Sequence, residues 1–148
     1  MKPLLPTPDL VASYEAALYE VAGDSPVLLR IGASAPQPWL QRLNAKTATL
    51  ITAWNPFSQA LEDSVNRARL QALTEAVCAE GLRYLPAQGR DPSGLWAPEP
   101  GLCVLDASRA LALQWLRDFD QFAAVIADAG SCRLLWHPDI TPPAARPS

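Results

Sequence analysis

Residues 47–58 read TATLITAWNPFS, and the way residue types succeed one another there decides the fold of the chain around them. Thr47 to Trp54 is β-branched and apolar on both alternations, with Leu50 and Trp54 on one face and Thr49, Ile51 and Ala53 on the other. Such a run fits a central strand covered on both sides. Asn55-Pro56 ends it, because the residue before a proline is kept out of the helical region and proline has no N–H for a sheet ladder. The longest helix is then expected to begin between Ser58 and Asp63 and to run to Glu80, with Gly81 as its left-handed stop.

Toward the N-terminus, Thr7 and Pro8 have the form of an N-cap and first helical position. Leu10, Val11, Tyr14, Ala17, Leu18 and Val21 recur at helical spacing, which predicts one helix as far as Gly23. A short strand is expected over Val27 to Ile31, and a single helical turn over Trp39 to Leu43. Toward the C-terminus, Leu82 to Leu85 reads as a strand and Pro86 to Pro100 as a long, turn-rich loop. Leu102 to Leu105 is a strand, Ser108 to Phe119 a helix, and Phe122 to Ala127 and Cys132 to Trp136 a hairpin around Asp128–Ser131. The middle of the chain is therefore strand, helix, strand, strand, helix, strand. That order predicts an α+β fold: a ferredoxin-like (split βαβ) core with an extra N-terminal helix and strand and an added C-terminal strand. A single domain is expected over residues 7–137, and a Pro-rich disordered tail over 138–148.

The chain has 148 residues, enough for one core, and its 49% apolar and 18% charged content suits a packed globule. A net charge of -3 with two lysines, Lys2 and Lys46, argues against nucleic acid, whose recognition needs clustered cations. No window reaches the roughly 18 apolar residues of a membrane span, and no signal-type run is present, so a cytoplasmic protein is expected with no membrane partner. Cys78, Cys103 and Cys132 sit in apolar runs without metal-like spacing and read as reduced core thiols. The lone His137 argues against histidine catalysis, and no metal is expected. No phosphate-binding or dinucleotide glycine loop and no nucleophile elbow occurs, so no cofactor is expected.

On a helical wheel of the long helix, Val65, Ala68, Ala72, Leu73, Ala76 and Val77 form the apolar stripe, and Arg69 falls inside it. A half-buried guanidinium needs carboxylate or carbonyl partners; Glu62, Asp91 and Glu99 are the candidates. Arg69 and Asn66 would form the floor of a polar pocket beside Asn55 and Ser58, roofed by the loop bearing Gly89, Asp91, Trp96 and Glu99. The alternative is that Arg69 only braces that loop. Glu99, between two prolines, suits a general acid or base and equally a loop pin. Trp96 would stack on a ligand or cover the core, Asn55 would line the pocket or make an Asx turn, and Gln121 would donate into the pocket or end a helix.

Thr52-Ala53-Trp54-Asn55-Pro56 with Ser58, then Asn66 and Arg69, Pro86-Ala87, Gly89, Asp91-Pro92, Trp96, Glu99-Pro100, Phe119 and Gln121 together form a pattern that resembles the bacterial domain-of-unknown-function family 3293. The resemblance runs from about Tyr14 to Trp136. The chain departs from that pattern at Asp120 and Phe122 and at Gly101, where a serine is usual. The resemblance implies no activity, but it selects the same polar residues as the wheel.

The expected function is a small-ligand or protein binding and regulatory module with a polar pocket around Asn55, Asn66, Arg69 and Glu99. Its ligand would be anionic or amide-bearing, recognised by Arg69. The alternative is a hydrolase or transferase using Glu99 or Asp91 as general acid or base, with Arg69 stabilising an anion. A third reading is a structural partner docking through a sheet edge at Val27 to Ile31 or Cys132 to Trp136. Catalytic residues and oligomeric state are left open.

Overall fold

In the computed structural model, which describes residues 5–36 and 38–145, the apolar run before Asn55 forms a strand buried at all four residues. This is β3 (Ala48–Ile51), preceded by β1 (Leu18–Val21) and β2 (Val27–Leu29) and followed by β4 (Tyr84–Arg90), β5 (Glu99–Leu105), β6 (Ala123–Ala127) and β7 (Cys132–Trp136). The strands of the described residues make one antiparallel sheet in the order β2-β1-β4-β5-β3-β6-β7. The helices are α1 (Pro8–Ala16), α2 (Trp39–Arg42), α3 (Asp63–Ala79) and α4 (Arg109–Asp118), with a 3₁₀ turn at Pro56–Ser58. The protein is thus α+β, and its central strand is the one expected. Among the described residues no helix is long and apolar enough to cross a membrane.

Three expectations about elements are corrected. The N-terminal helix stops at Ala16, because Ala17 is extended (ψ 152°) and Leu18–Val21 pairs with strands on both sides. Its apolar residues satisfy either period, and the lateral hydrogen bonds decide. The long loop shrinks to residues 91–98, since Pro86 and Pro100 both lie inside strands. Each is tolerated where its neighbour strand has run out: the Pro86 carbonyl accepts from Ala22 N–H just beyond β1, and the Pro100 carbonyl accepts from the Thr52 hydroxyl just beyond β3. A strand residue's N–H and C=O point the same way, so the missing donors cost no ladder bond. Finally, the buried residues of α3 are Asn66, Leu73 and Val77, while Val65 is 46% exposed. The core stripe is one position round from the apolar one because an asparagine occupies a core site. Cys78, next to Val77, is consequently exposed, whereas Cys103 and Cys132 are buried thiols.

The sheet curls until its edges touch. Gly32 N–H donates to the Cys132 carbonyl at 2.9 Å, and Cys132 N–H donates to Ala33 at 2.8 Å, joining the end of β2 to the start of β7. Gly32 takes φ 87°, a conformation that a side chain would strain. On the convex face, Leu73 and Val77 of α3 and Ala112, Trp115 and Leu116 of α4 pack on Ile51, Leu102, Val104 and Ala124. The concave face is filled at one end by Trp39 and Leu40 of α2, against Ala48, Leu105, Ala127 and Cys132. At the other end α1 spans the opening, with Leu10 and Tyr14 packed on Phe57, Phe122, Trp136 and Ile140. Ile140 falls within the segment expected to be a tail, yet it is only 7% exposed; Arg146 to Ser148 of that segment lie outside the described residues.

At Gly101 of β5 an added Cβ would lie 2.6 Å from the Ile51 carbonyl oxygen of β3. Backbone cannot move aside as a side chain can. Gly101→Ala should therefore destabilise the protein by about 1–3 kcal/mol, read as a lower urea midpoint at unchanged slope.

Candidate functional site

Where β3 ends, the chain makes a strained turn. Asn55, Phe57 and Ser58 have φ of 46°, 48° and 60°, and left-handed backbone at such residues costs about 1–3 kcal/mol each. Phe57 is only 4% exposed and donates its N–H to the Asp120 carbonyl at 2.7 Å. Burying a phenylalanine contributes about 1.5–3 kcal/mol, enough to hold that residue against its own strain.

The rest of the turn is held by side chains reaching in from α3 and from the segment just after α4. Asn66, buried on α3, accepts from Asn55 N–H at 2.9 Å and donates to Asn55 Oδ1 at 2.7 Å. Asn55 Oδ1 also accepts from Leu61 N–H at 3.1 Å. Arg69 donates through Nε to the Ala53 carbonyl at 2.8 Å and through its terminal nitrogen to the Phe119 carbonyl. Gln121, 3% exposed, donates to the Trp54 and Phe119 carbonyls at 3.3 and 3.1 Å. The partners of Arg69 are thus backbone carbonyls and not Glu62, Asp91 or Glu99. The strand end needs acceptors satisfied there, and the guanidinium fork spans two of them.

On the concave side of the turn lies a cavity of about 360 Å³. Asn55, Ser58, Trp96 and Glu99 line it, together with Tyr14 of α1, Tyr19 of β1 and apolar residues of the sheet. Asn55 Nδ2 donates to Glu99 Oε2 at 3.0 Å, so the strained turn fixes the carboxyl at the cavity wall. The Tyr14 hydroxyl lies 3.4 Å from that of Ser58, and the Tyr19 hydroxyl donates to the Tyr14 carbonyl at 2.7 Å. Burial raises the Glu99 pKa above the ordinary carboxylate value, opposed by the Asn55 hydrogen bond. Burial likewise pushes the Tyr14 hydroxyl up to about 12 and Tyr19 further, with the charge of Glu99 adding to both. Three acids therefore face one cavity, each favoured in its neutral form.

Of the eight residues singled out from sequence, Asn55, Ser58, Trp96 and Glu99 meet at the cavity. Asn66, Arg69 and Gln121 stand behind the turn as its braces. Asp91 is elsewhere: its carboxylate accepts from Ser93 N–H, the Ser93 hydroxyl and Leu95 N–H, which shapes the β4–β5 loop and holds its pKa down. Tyr14 is one residue of the apolar helical stripe, and Tyr19 falls outside that stripe within the same expected helix. A signal for the cavity was available in Ala87 and Gly89, small residues at strand spacing whose inward positions leave room. Among the described residues, no group of three or more His, Cys, Asp and Glu could hold a metal ion.

Asn66→Ala removes both bonds to Asn55 and leaves a buried N–H unpaired. It should cost about 2–4 kcal/mol, measured by denaturant unfolding, and more than any alanine substitution of the exposed residues of α3.

A family model described as "Protein of unknown function (DUF3293)" matches residues 51–124. No curated protein and no solved structure matches the chain. The matched segment contains the strained turn, its three side-chain braces, Trp96 and Glu99, while Tyr14 and Tyr19 lie outside it. Half of the 148 residues are covered, so the chain belongs to the DUF3293 family of proteins of unknown function.

Proposed function

We propose that the protein is a binding module whose small ligand occupies the cavity between α1 and the curled sheet. The single observation that carries this reading is a hollow of about 360 Å³ with one fixed carboxyl at its wall, within the size range of small-molecule sites. Arg69 donates to the Ala53 and Phe119 carbonyls and does not line the cavity, so ligand recognition falls to Glu99, Asn55, Ser58 and Tyr14. The unit from β3 to β6, with internal strand order β4-β5-β3-β6, supports classing the core as ferredoxin-like. A second reading, an enzyme with Glu99 as general acid, draws on the raised Glu99 pKa and predicts turnover as well as binding.

The test is a thermal-shift screen of a metabolite library on the wild type and on Ala87→Leu, which adds bulk at the cavity wall. A ligand at a hundred times its Kd adds about 2.7 kcal/mol, or roughly 5 °C. The wild type should shift and Ala87→Leu should not; equal shifts in both would move the site elsewhere.

Glu99 also sets a pH dependence. A carboxyl whose folded pKa lies above its unfolded value of 4.5 holds its proton more firmly in the native state. Its stabilising contribution is therefore complete below 4.5 and is lost as pH rises through the raised folded value. Tyr14, Tyr19 and Asn55 face it, and the tyrosines stay neutral throughout. The melting temperature of Glu99→Gln minus that of the wild type should grow as the pH rises above 4.5 and level off once the raised folded value is passed; a constant difference would remove Glu99 from the cavity's electrostatics.

A further inference from the structure

The cavity is one-sided in charge. Among the described residues that line it, the titratable groups are Glu99, Tyr14 and Tyr19, all acids, and none is lysine, arginine or histidine. The Glu99 carboxyl takes one hydrogen bond there, from Asn55 to Oε2, and no ion pair. The other polar side chains of the lining are uncharged: the Ser58 and Tyr14 hydroxyls, 3.4 Å apart, which can accept as well as donate, those of Ser13 and Thr52, the Trp96 indole, and the Gln88 amide, whose nitrogen donates to Glu20 at 3.4 Å. Beyond them the wall turns apolar at Leu50, Val125 and Leu134, with Trp96 at the loop side. A buried carboxylate is stabilised by an opposite charge brought close in a medium of low polarity. An anion placed in the same spot would meet repulsion from Glu99 and no compensating cation.

We propose, building on the binding function above, that the ligand is a small protonated amine with an apolar or aromatic body, its ammonium group against Glu99 and its body toward Leu50, Val125 and Leu134. This reverses the charge sense expected when Arg69 was read as a pocket residue. The ammonium N–H groups match the acceptors available, since a carboxylate can accept several and Ser58 and Tyr14 can accept in turn. Aromatic rings at the wall favour a cation over a neutral isostere as well.

The experiment is isothermal titration of the wild type with primary amines graded in size from butylamine to tryptamine, each paired with the alcohol or hydrocarbon isostere and with the matching carboxylate. At neutral pH at least one amine should bind roughly tenfold tighter than its neutral isostere, the difference between a charge-assisted and a neutral hydrogen bond, and its carboxylate should bind weakest. Glu99→Gln should bring the amine and its isostere level. Equal binding of amine and isostere by the wild type, or preference for the carboxylate, overturns the cationic ligand and leaves the binding function standing. If neither these probes nor any member of the metabolite library binds, both readings fall together.

Discussion

The Asn55 side chain is tied on every side, and the arrangement of the cavity end follows from it. Its oxygen takes hydrogen bonds from Asn66 and from Leu61 N–H, its nitrogen gives one to Glu99, and its backbone N–H goes to Asn66. One residue thereby joins the end of β3, the start of α3 and the first residue of β5. The left-handed backbone at position 55 is unfavourable alone, and it persists because four bonds would be lost together if it relaxed. From that point the chain can swing Phe57 under α1, and α1 can then roof the open end of the sheet.

The sheet's curl supplies the second constraint. Joined at one end by the Gly32 and Cys132 hydrogen bonds, it encloses a volume that side chains must fill or leave empty. At the joined end Trp39 and Leu40 fill it. At the other end the inward positions include the small residues Ala87, Gly89 and Ala123. Interiors pack to crystal-like density when larger residues are available, and a valine or leucine at one of the roomier sites would add about 1.5–3 kcal/mol of burial. That stability is forgone at this end while the joined end is filled, and this difference is what favours the proposed binding function over loose packing.

Much of this was legible in the residues, unevenly. The central strand, its termination at Asn55-Pro56, both long helices and the β6–β7 hairpin follow from periodicity and turn chemistry. The misread elements are those where lateral pairing outweighs local pattern: Leu18–Val21 suits a helix or a strand equally, and Pro86 and Pro100 break strands only where a ladder needs their missing donors. At the cavity end, sequence singled out the turn and the residues that the fold uses to brace it, because polar residues on a core stripe demand partners wherever those partners are. Which partners they find is a matter of distance. Arg69 and Glu99 looked like a natural ion pair, and the fold puts the β3–α3 turn between them. The two tyrosines escaped notice because nothing local distinguishes a tyrosine that packs from one that lines a hollow.

That separation of Arg69 from Glu99 carries the electrostatic logic of the site. A guanidinium inside the cavity would have paired with the carboxyl, kept it ionised and left little for a ligand to supply. With its donors bound to the Ala53 and Phe119 carbonyls, Arg69 instead stiffens the turn from behind. Its rigidity reaches the cavity through Asn55, but its charge does not serve as the carboxyl's partner. Glu99 is left oriented by a neutral amide, partly desolvated and, among the described residues, without an ion-pair partner, which is the state that the proposed cationic ligand would relieve. The strained turn, on this view, is what allows an acidic group to be fixed in place without being neutralised by the residue that fixes it.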